Sequence, residues 1–398
     1  MLIRSIRLRN LLSFGPEAEA IELQPLNVII GPNASGKSNL IEALHLLRSC
    51  ATDLAQPIRE GGGIGEYLWK GSQTPEPAEI NVEFDHGDNG LRHVLNLAEV
   101  GQRLELSYES VEEARATRMD ARGPYFFYHL EDARAVLNFP EDKPVGNGHQ
   151  KSKKRELKVV DLIANQSIVA QRKDPVQFPE ITFLNQIYRR FHLFREWQFG
   201  RNHASRRPQQ VDLPEDFLLE DASNLGLVLN DLEHRGLQPR LKEIFRTLHE
   251  DFDDYSLRIH GGTIQLYLHD RYLKRPIPAT RLSDGTLRFL CLVAVLLHPE
   301  PPPLICLEEP EIALHPDLLI ELARLLEDAS TRTQVIVTTH SKELVDAFTE
   351  TPDHVLVADK KNGSTRFERL AQDHLKQWLE RYSLGELWER GQLGGNRF

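Results

Sequence analysis

Gly31-Pro32-Asn33-Ala34-Ser35-Gly36-Lys37-Ser38 matches the complete phosphate-loop pattern G-x-x-x-x-G-K-S, and its flanks are the ones that pattern needs. Leu26-Asn27-Val28-Ile29-Ile30 reads as a buried strand entering the loop, and Asn39 to Leu47 as the helix leaving it. Glycines at both ends let successive backbone N–H groups curl around an anion, and a helix N-terminus adds partial positive charge. Lys37 then carries a point charge to the β- and γ-phosphates, and Ser38 offers its hydroxyl to Mg²⁺. Asn39 falls in the same contact set. A plain glycine turn before a helix would explain the glycines but not the Lys-Ser pair in register. The expectation is a nucleoside triphosphate with Mg²⁺.

The rest of the composition is compatible with that reading. At 398 residues, the chain has length for about two to three domains. The longest apolar run, Phe289 to Leu297, is flanked by Arg288 and His298 and is too short to span a bilayer, so no membrane association is expected. Cys50, Cys291 and Cys306 are odd in number and lack metal-ligand spacing, which suits buried thiols in a reducing cytoplasm. A net charge of −11 argues against indiscriminate polyanion binding by the whole surface, while leaving room for a local basic patch.

Three stretches follow from the patterning. Residues 1–110 read as a β-rich lobe carrying the phosphate loop, with strands at Glu79 to Phe84, Leu91 to Leu97 and Leu104 to Tyr108. Residues 111–277 read as an inserted, mainly helical lobe, with helical patterns at Ile181 to Trp197 and Asn224 to Leu248 and a hairpin turning at Gly261-Gly262. Residues 278–398 alternate helix and strand: a helix at Asp284 to Leu297, a strand at Leu304 to Leu307, a helix from about Asp317 to Ala329, and a strand at Gln334 to Thr338. Asn362-Gly363 marks a hairpin turn. Such alternation predicts an α/β fold with a mixed sheet covered by helices.

The last stretch carries a second set of chemical groups. Leu304-Ile305-Cys306-Leu307-Glu308-Glu309-Pro310 is a buried strand ending in two carboxylates. Hydrolysis needs one acid near Mg²⁺ through its water shell and one to orient or deprotonate the attacking water. Glu308 is assigned to the metal and Glu309 to the water, since adjacent strand residues point to opposite sides. Val337-Thr338-Thr339-His340-Ser341 ends the next strand, where His340 can bond a γ-phosphate. Arg281-Leu282-Ser283-Asp284-Gly285-Thr286-Leu287-Arg288 opens a helix, and Ser283 and Gly285 at its start suit an anion.

This order of phosphate loop, helix-capping Ser-x-Gly signature, acidic strand and strand-end histidine resembles the ABC-type ATPase head. It is most similar to the SMC and RecF group and to the ATPase heads of OLD-family nucleases. Glu308-Glu309-Pro310-Glu311-Ile312-Ala313-Leu314-His315-Pro316 and Ser283-Asp284-Gly285-Thr286 are closest to the OLD heads and their stand-alone AAA-family relatives. The resemblance implies a homodimer sandwiching two ATP molecules, with Ser283 and Gly285 contacting the γ-phosphate held by the other protomer. It also implies a glutamine loop reaching the metal, for which Gln171 is the candidate and Gln166 the competitor. Asp284 and Thr286 stand where the usual signature has glycine and glutamine. An acid beside a triphosphate must point away or face a cation, so Asp284 either caps the helix or binds an arginine. No nuclease domain is expected after Trp388.

Three uses of the nucleotide cycle remain open at this point. The first is action on DNA, as in RecF and SMC heads. Its support is Tyr188 to Pro208, where Arg189, Arg190, Arg195, Arg201, Arg206 and Arg207 interleave with Phe191, Phe194, Trp197 and Phe199. The same spacing fits aromatics in a core with arginines in solvent. The second is regulation of a separately encoded effector or nuclease, as in phage-defence and toxin systems. A transporter subunit, the third, is disfavoured by the RecF-like opening Arg7-Leu8-Arg9-Asn10-Leu11-Leu12-Ser13-Phe14 and by the altered signature.

Overall fold

The strand entering the phosphate loop, Leu26–Ile30, is buried at all five positions. It lies inside a six-stranded sheet ordered Phe191–Phe194, Leu304–Glu308, Gln334–Thr338, Leu26–Ile30, Val355–Lys361, Ser364–Arg369. The middle four strands are mutually parallel. Strands of a parallel sheet are covered on both faces, which is why these read as unbroken apolar runs rather than alternations. The computed structural model describes residues 3–115, 125–131, 134–140, 152–157, 162–195, 197, 199–248 and 251–394.

The chain forms two compact units. One comprises Met1–Gln24, Gly31–Phe191 and Ala358–Glu368, the other Pro25–Ile30, His192–Val357 and Arg369–Phe398. The first is built on an antiparallel sheet of eight strands: Ile21–Glu22, Ile3–Arg9, Ala78–Phe84, Leu91–Val100, Arg103–Glu113, Phe126–Glu131, Arg134–Pro140 and Ser152–Leu157. Ala78–Phe84 alternates strictly between buried and half-buried, as expected of a sheet with one face on a core. Helices Lys37–Ser49 and Pro179–Arg189 belong to this unit. His93 is fully buried, with Nδ1 2.9 Å from Tyr188 Oη and Nε2 3.2 Å from Glu109 Oε1. These bonds tie the second helix to the sheet.

In the second unit, helix Asp284–Leu296 is buried from Leu287 onward, matching its apolar sequence on all sides. Asp317–Ser330 is amphipathic and buries Leu318, Leu319, Leu322, Leu325 and Leu326. The hairpin Phe252–His260 and Thr263–Asp270 turns at Gly261 and Gly262. In the first unit's segment Ala358–Glu368, Asn362 and Gly363 both take positive φ, as that dipeptide predicts.

The middle stretch differs from the helical expectation. Among the described residues of 111–277 there is more strand than helix. The pattern at Ile181 to Trp197 ends as a helix at Arg189, and Phe191–Phe194 is a strand beside the acidic strand. The Asn224 to Leu248 pattern is two helices, Leu225–His234 and Gln238–Phe245, separated where Gly236 takes φ +82°. Two helices, Gln372–Leu379 and Leu384–Glu389, follow the last strand. All three cysteines are buried and free. Among the described residues no helix is long and apolar enough to cross a membrane.

Candidate nucleotide site

The phosphate loop is held by its own unit. Gly31, Ala34 and Gly36 take φ of +146°, +66° and +105°, so the N–H groups turn inward instead of forming a ladder. A Cβ at Gly36 would lie 2.7 Å from Ser13 Oγ, so only glycine fits there. Ser13 and Thr365 brace the loop from outside. Thr365 Oγ1 lies 2.8 Å from Ser35 O and 2.7 Å from Ser13 Oγ, and Asn39 Nδ2 donates to Ser13 Oγ at 2.7 Å. Asn39 therefore anchors the loop base. Pro32, Asn33 and Ala34 form its outer rim, the last two exposed.

Three observations show that these residues fit a polyphosphate. Helix Lys37–Ser49 has no side-chain cap and no acidic residue in its first turn, so its N–H groups and dipole are open to an anion. Ser35 Oγ is buried without a hydrogen-bond partner. The Lys37 ammonium is folded back on the loop, donating to Gly31 O at 2.7 Å and Pro32 O at 3.0 Å. Ser38 is exposed. Among the described residues no three His, Cys, Asp or Glu side chains cluster as a metal cage. A divalent ion at this loop would take Ser38, phosphate oxygens and water, as Mg²⁺ prefers.

The second unit carries the acidic strand end. The strand ends at Glu308, and Glu309 turns out of it with φ +47°. Glu309 thus leaves the strand by a left-handed turn, where the sequence had suggested strand alternation. A non-glycine residue in that region carries strain, and here both of its backbone groups are held. Glu309 N donates to Thr338 O at 2.9 Å, while Glu309 O accepts from Arg288 Nη1 at 3.3 Å and from Ile312 N at 3.2 Å. His340 Nε2 stands 3.6 Å from Glu309 Oε1, both side chains about one-third exposed. Glu311 closes the arrangement, accepting at Oε1 from Thr339 Oγ1 at 2.7 Å and from the His340 N–H at 2.8 Å. Burial pushes its carboxyl above the ordinary range against those hydrogen bonds. The structure thus brings Glu309 and His340 together.

Glu308 meets a different partner. Arg195 Nε lies 3.3 Å from Glu308 Oε2, and both side chains are mostly covered.

The signature turn resolves the alternatives at Asp284. Ser283 caps the helix, its Oγ accepting from Thr286 N at 3.0 Å, and Asp284 binds an arginine, Arg206. Arg206 is itself buried and also donates to Phe199 O at 3.0 Å and to Leu282 O. Ser283 is exposed. Gly285 packs against Ala313 O so closely that a Cβ would overlap it.

Of the two readings of the arginine-aromatic stretch, the structure takes the one with its aromatics in the core. Phe191, Phe194, Trp197 and Phe199 are core residues, and Arg206 and Arg195 are committed to Asp284 and Glu308. Only Arg189, Arg190, Arg201 and Arg207 of that stretch are exposed, so the arginine-aromatic reading as a base-stacking surface loses its aromatics. Gln171 spends its amide on its own loop, accepting from Ile163 N at 2.9 Å and donating to Gln166 O at 2.7 Å. Sequence reasoning missed Ser13, Thr365, Arg195 and the bracing role of Glu311. Glu311 had a signal, a third acid within four residues of a buried strand end; the others are single residues far away in the chain.

Comparison with known proteins supplies the family and the fold. Residues 26–346 match the sequence profile of the family described as "AAA domain, putative AbiEii toxin, Type IV TA system". The chromosome partition protein Smc of Clostridium kluyveri is 27% identical over 113 residues, 28% of this chain and 9% of that protein. The DNA replication and repair protein RecF of Desulforamulus reducens is 28% identical over 144 residues, 36% of this chain and 35% of that protein. The chain thus spans about a tenth of the Smc proteins and about a third of the RecF protein. A solved SMC head bound to the C-winged helix domain of ScpA superposes with a TM-score of 0.55 at 15% identity, covering 95% of this chain and all of that one. An SMC head from Pyrococcus furiosus gives 0.54 at 14% identity, covering 95% and 98%. The fold is that of an SMC head, and the chain belongs to the AAA-domain family whose profile spans residues 26–346.

Proposed function

We propose that this chain binds ATP with Mg²⁺, hydrolyses it, and dimerises around it, with two sites each shared between protomers. The observation carrying this reading is the over-determined left-handed turn that holds Glu309 beside His340, in a chain that also carries an open anion-binding loop motif. Lys37 and the loop amides hold the phosphates, and Ser38 offers its hydroxyl to the ion. Glu308 faces the metal's water shell, Glu309 orients the attacking water, and His340 bonds the γ-phosphate. A divalent ion held through the Ser38 hydroxyl would supply charge neutralisation for the phosphates. Ser283 and Gly285 complete the partner's site. Gln171 joins only if its amide leaves Ile163 and Gln166.

The relatives' names favour work on DNA in chromosome or genome maintenance. The family's description supports a second reading, a regulatory ATPase in a toxin or phage-defence system with a separately encoded effector. Mixing Lys37→Ala with Ser283→Arg protein tests the core proposal. Their heterodimer has one site built from intact motifs only, so mixing restores part of the ATPase activity. Heterodimers without activity would overturn sharing in trans. Salt-dependent DNA binding by the wild type in ATP then separates the two readings; no binding at low salt leaves the effector reading in front.

A further inference from the structure

Glu308 already has a cation. Arg195 follows directly on strand Phe191–Phe194, which neighbours the acidic strand in the sheet, and its Nε reaches Glu308 Oε2 at 3.3 Å. The side chains are 29% and 16% exposed, so the pair is only partly screened by water. Two residues on, Trp197 is buried, donates Nε1 to Glu220 O at 2.6 Å and accepts at its carbonyl from Arg288. The segment bearing Arg195 is therefore fixed, and the guanidinium is not a loose surface charge.

We propose that Arg195 is a positioning residue that occupies the metal-side carboxylate and competes with Mg²⁺ for it, setting the Mg²⁺ concentration at which the ATPase operates. The inference rests on the assignment of Glu308 to the metal. A guanidinium and a divalent cation repel when both are held against one partly buried carboxylate, so the ion's arrival at Glu308 requires Arg195 to withdraw or to give up part of its attraction. An orienting partner would act in the opposite direction, because loss of a group that orients a metal's carboxylate weakens metal binding. The sign of the effect therefore separates the two roles.

The test is Mg²⁺ titration of wild type, Arg195→Gln and Arg195→Lys with ATP, read by calorimetric binding and, with Mn²⁺ as probe, by its electron paramagnetic resonance signal. Arg195→Gln should lower the half-saturating metal concentration about three- to tenfold, the range expected for a partly screened charge pair. Arg195→Lys retains the charge and should stay nearer wild type. In a Glu308→Gln background, Arg195→Gln should no longer shift the curve. An unchanged or raised half-saturation in Arg195→Gln would overturn the inference, as would an equal shift in the Glu308→Gln background. Wild-type protein that binds ATP with no dependence on metal would instead overturn the metal assignment itself. Should Arg195→Gln fail to fold, Arg195→Met, which keeps the apolar stem without the charge, carries the comparison: it must lower the half-saturating metal concentration, and a value at or above wild type overturns the inference.

Discussion

Gly285→Ala sets two effects of known sign against each other. Gly285 is the second residue of helix Asp284–Leu296 and has no left-handed φ, so alanine there gains helix propensity. That gain is at most about 1 kcal/mol and smaller at a helix end. Against it, the new methyl overlaps Ala313 O and lies 3.3 Å from the Ala313 carbonyl carbon. Both partners are backbone, so no rotamer change relieves the overlap. Ala313 already sits at φ +64°, which leaves its peptide little freedom to tilt. Overpacking of this kind costs about 1–3 kcal/mol, and a rigid backbone contact belongs in the upper half of that range. The net effect is a loss of about 1–2 kcal/mol, or about 2–8 °C in Tm for a unit of this size. Scanning calorimetry in nucleotide-free buffer measures it, so a loss there cannot arise from a missing phosphate contact. A Tm equal to or above wild type would refute the claim that signature turn and acidic loop are packed as one rigid block.

Lys37→Ala removes charge-assisted bonds worth about 1.5–3 kcal/mol each, so ATP affinity by calorimetry should fall about a hundredfold or more; an unchanged affinity in folded protein would overturn the phosphate-loop assignment. Glu309→Gln removes the water-orienting carboxylate and should slow hydrolysis about 10²–10⁴-fold while prolonging an ATP-held dimer in light scattering. A Glu309→Gln variant that hydrolyses ATP at the wild-type rate would move the role elsewhere. Glu311 titrates above the ordinary carboxyl range because it is buried, so the folded state favours its protonated form. Its contribution is fully present below the ordinary pKa and is lost as pH rises through the raised one. Glu311→Gln keeps an acceptor for Thr339 and His340 and should flatten the stability–pH curve above about pH 4.5 in denaturant titrations; parallel curves for variant and wild type would count against it.

The nucleotide motifs were legible because each sits at the end of a short apolar strand, and a parallel sheet demands such runs. Gln334–Thr338 appears in the structure with the bounds its sequence suggests, and Leu304–Glu308 is one residue longer. The middle of the chain hid its strands for a physical reason. Ser152–Leu157 lies at a sheet edge, and its highly charged sequence lacks the apolar alternation by which strands are recognised. Phe191 and Phe194 are spaced as on a helix face, yet tertiary pairing beside the acidic strand decides for strand. At the site, motif residues were found, and their supports were not. Arg206 reads as a surface cation until the fold places Asp284 against it. Thr365 carries no signal until the hairpin after Asn362-Gly363 returns it to Ser13 and Ser35.

The position of Leu26–Ile30 within its sheet also sets a timetable for synthesis. Its partners are Gln334–Thr338 and Val355–Lys361, so Leu26 pairs with Val335. A ribosome adds about 5–20 residues per second, and this strand emerges about three hundred residues before either neighbour, a delay of about 15–60 s. Throughout that interval a five-residue segment rich in Val and Ile has no edge to join, while Ile3–Arg9 and Ala78–Phe84 can already pair. Such exposed β-prone stretches recruit one another when chains are crowded on polysomes. Chaperone supply and elongation rate, rather than final stability, are therefore expected to govern how much of this protein reaches its folded form.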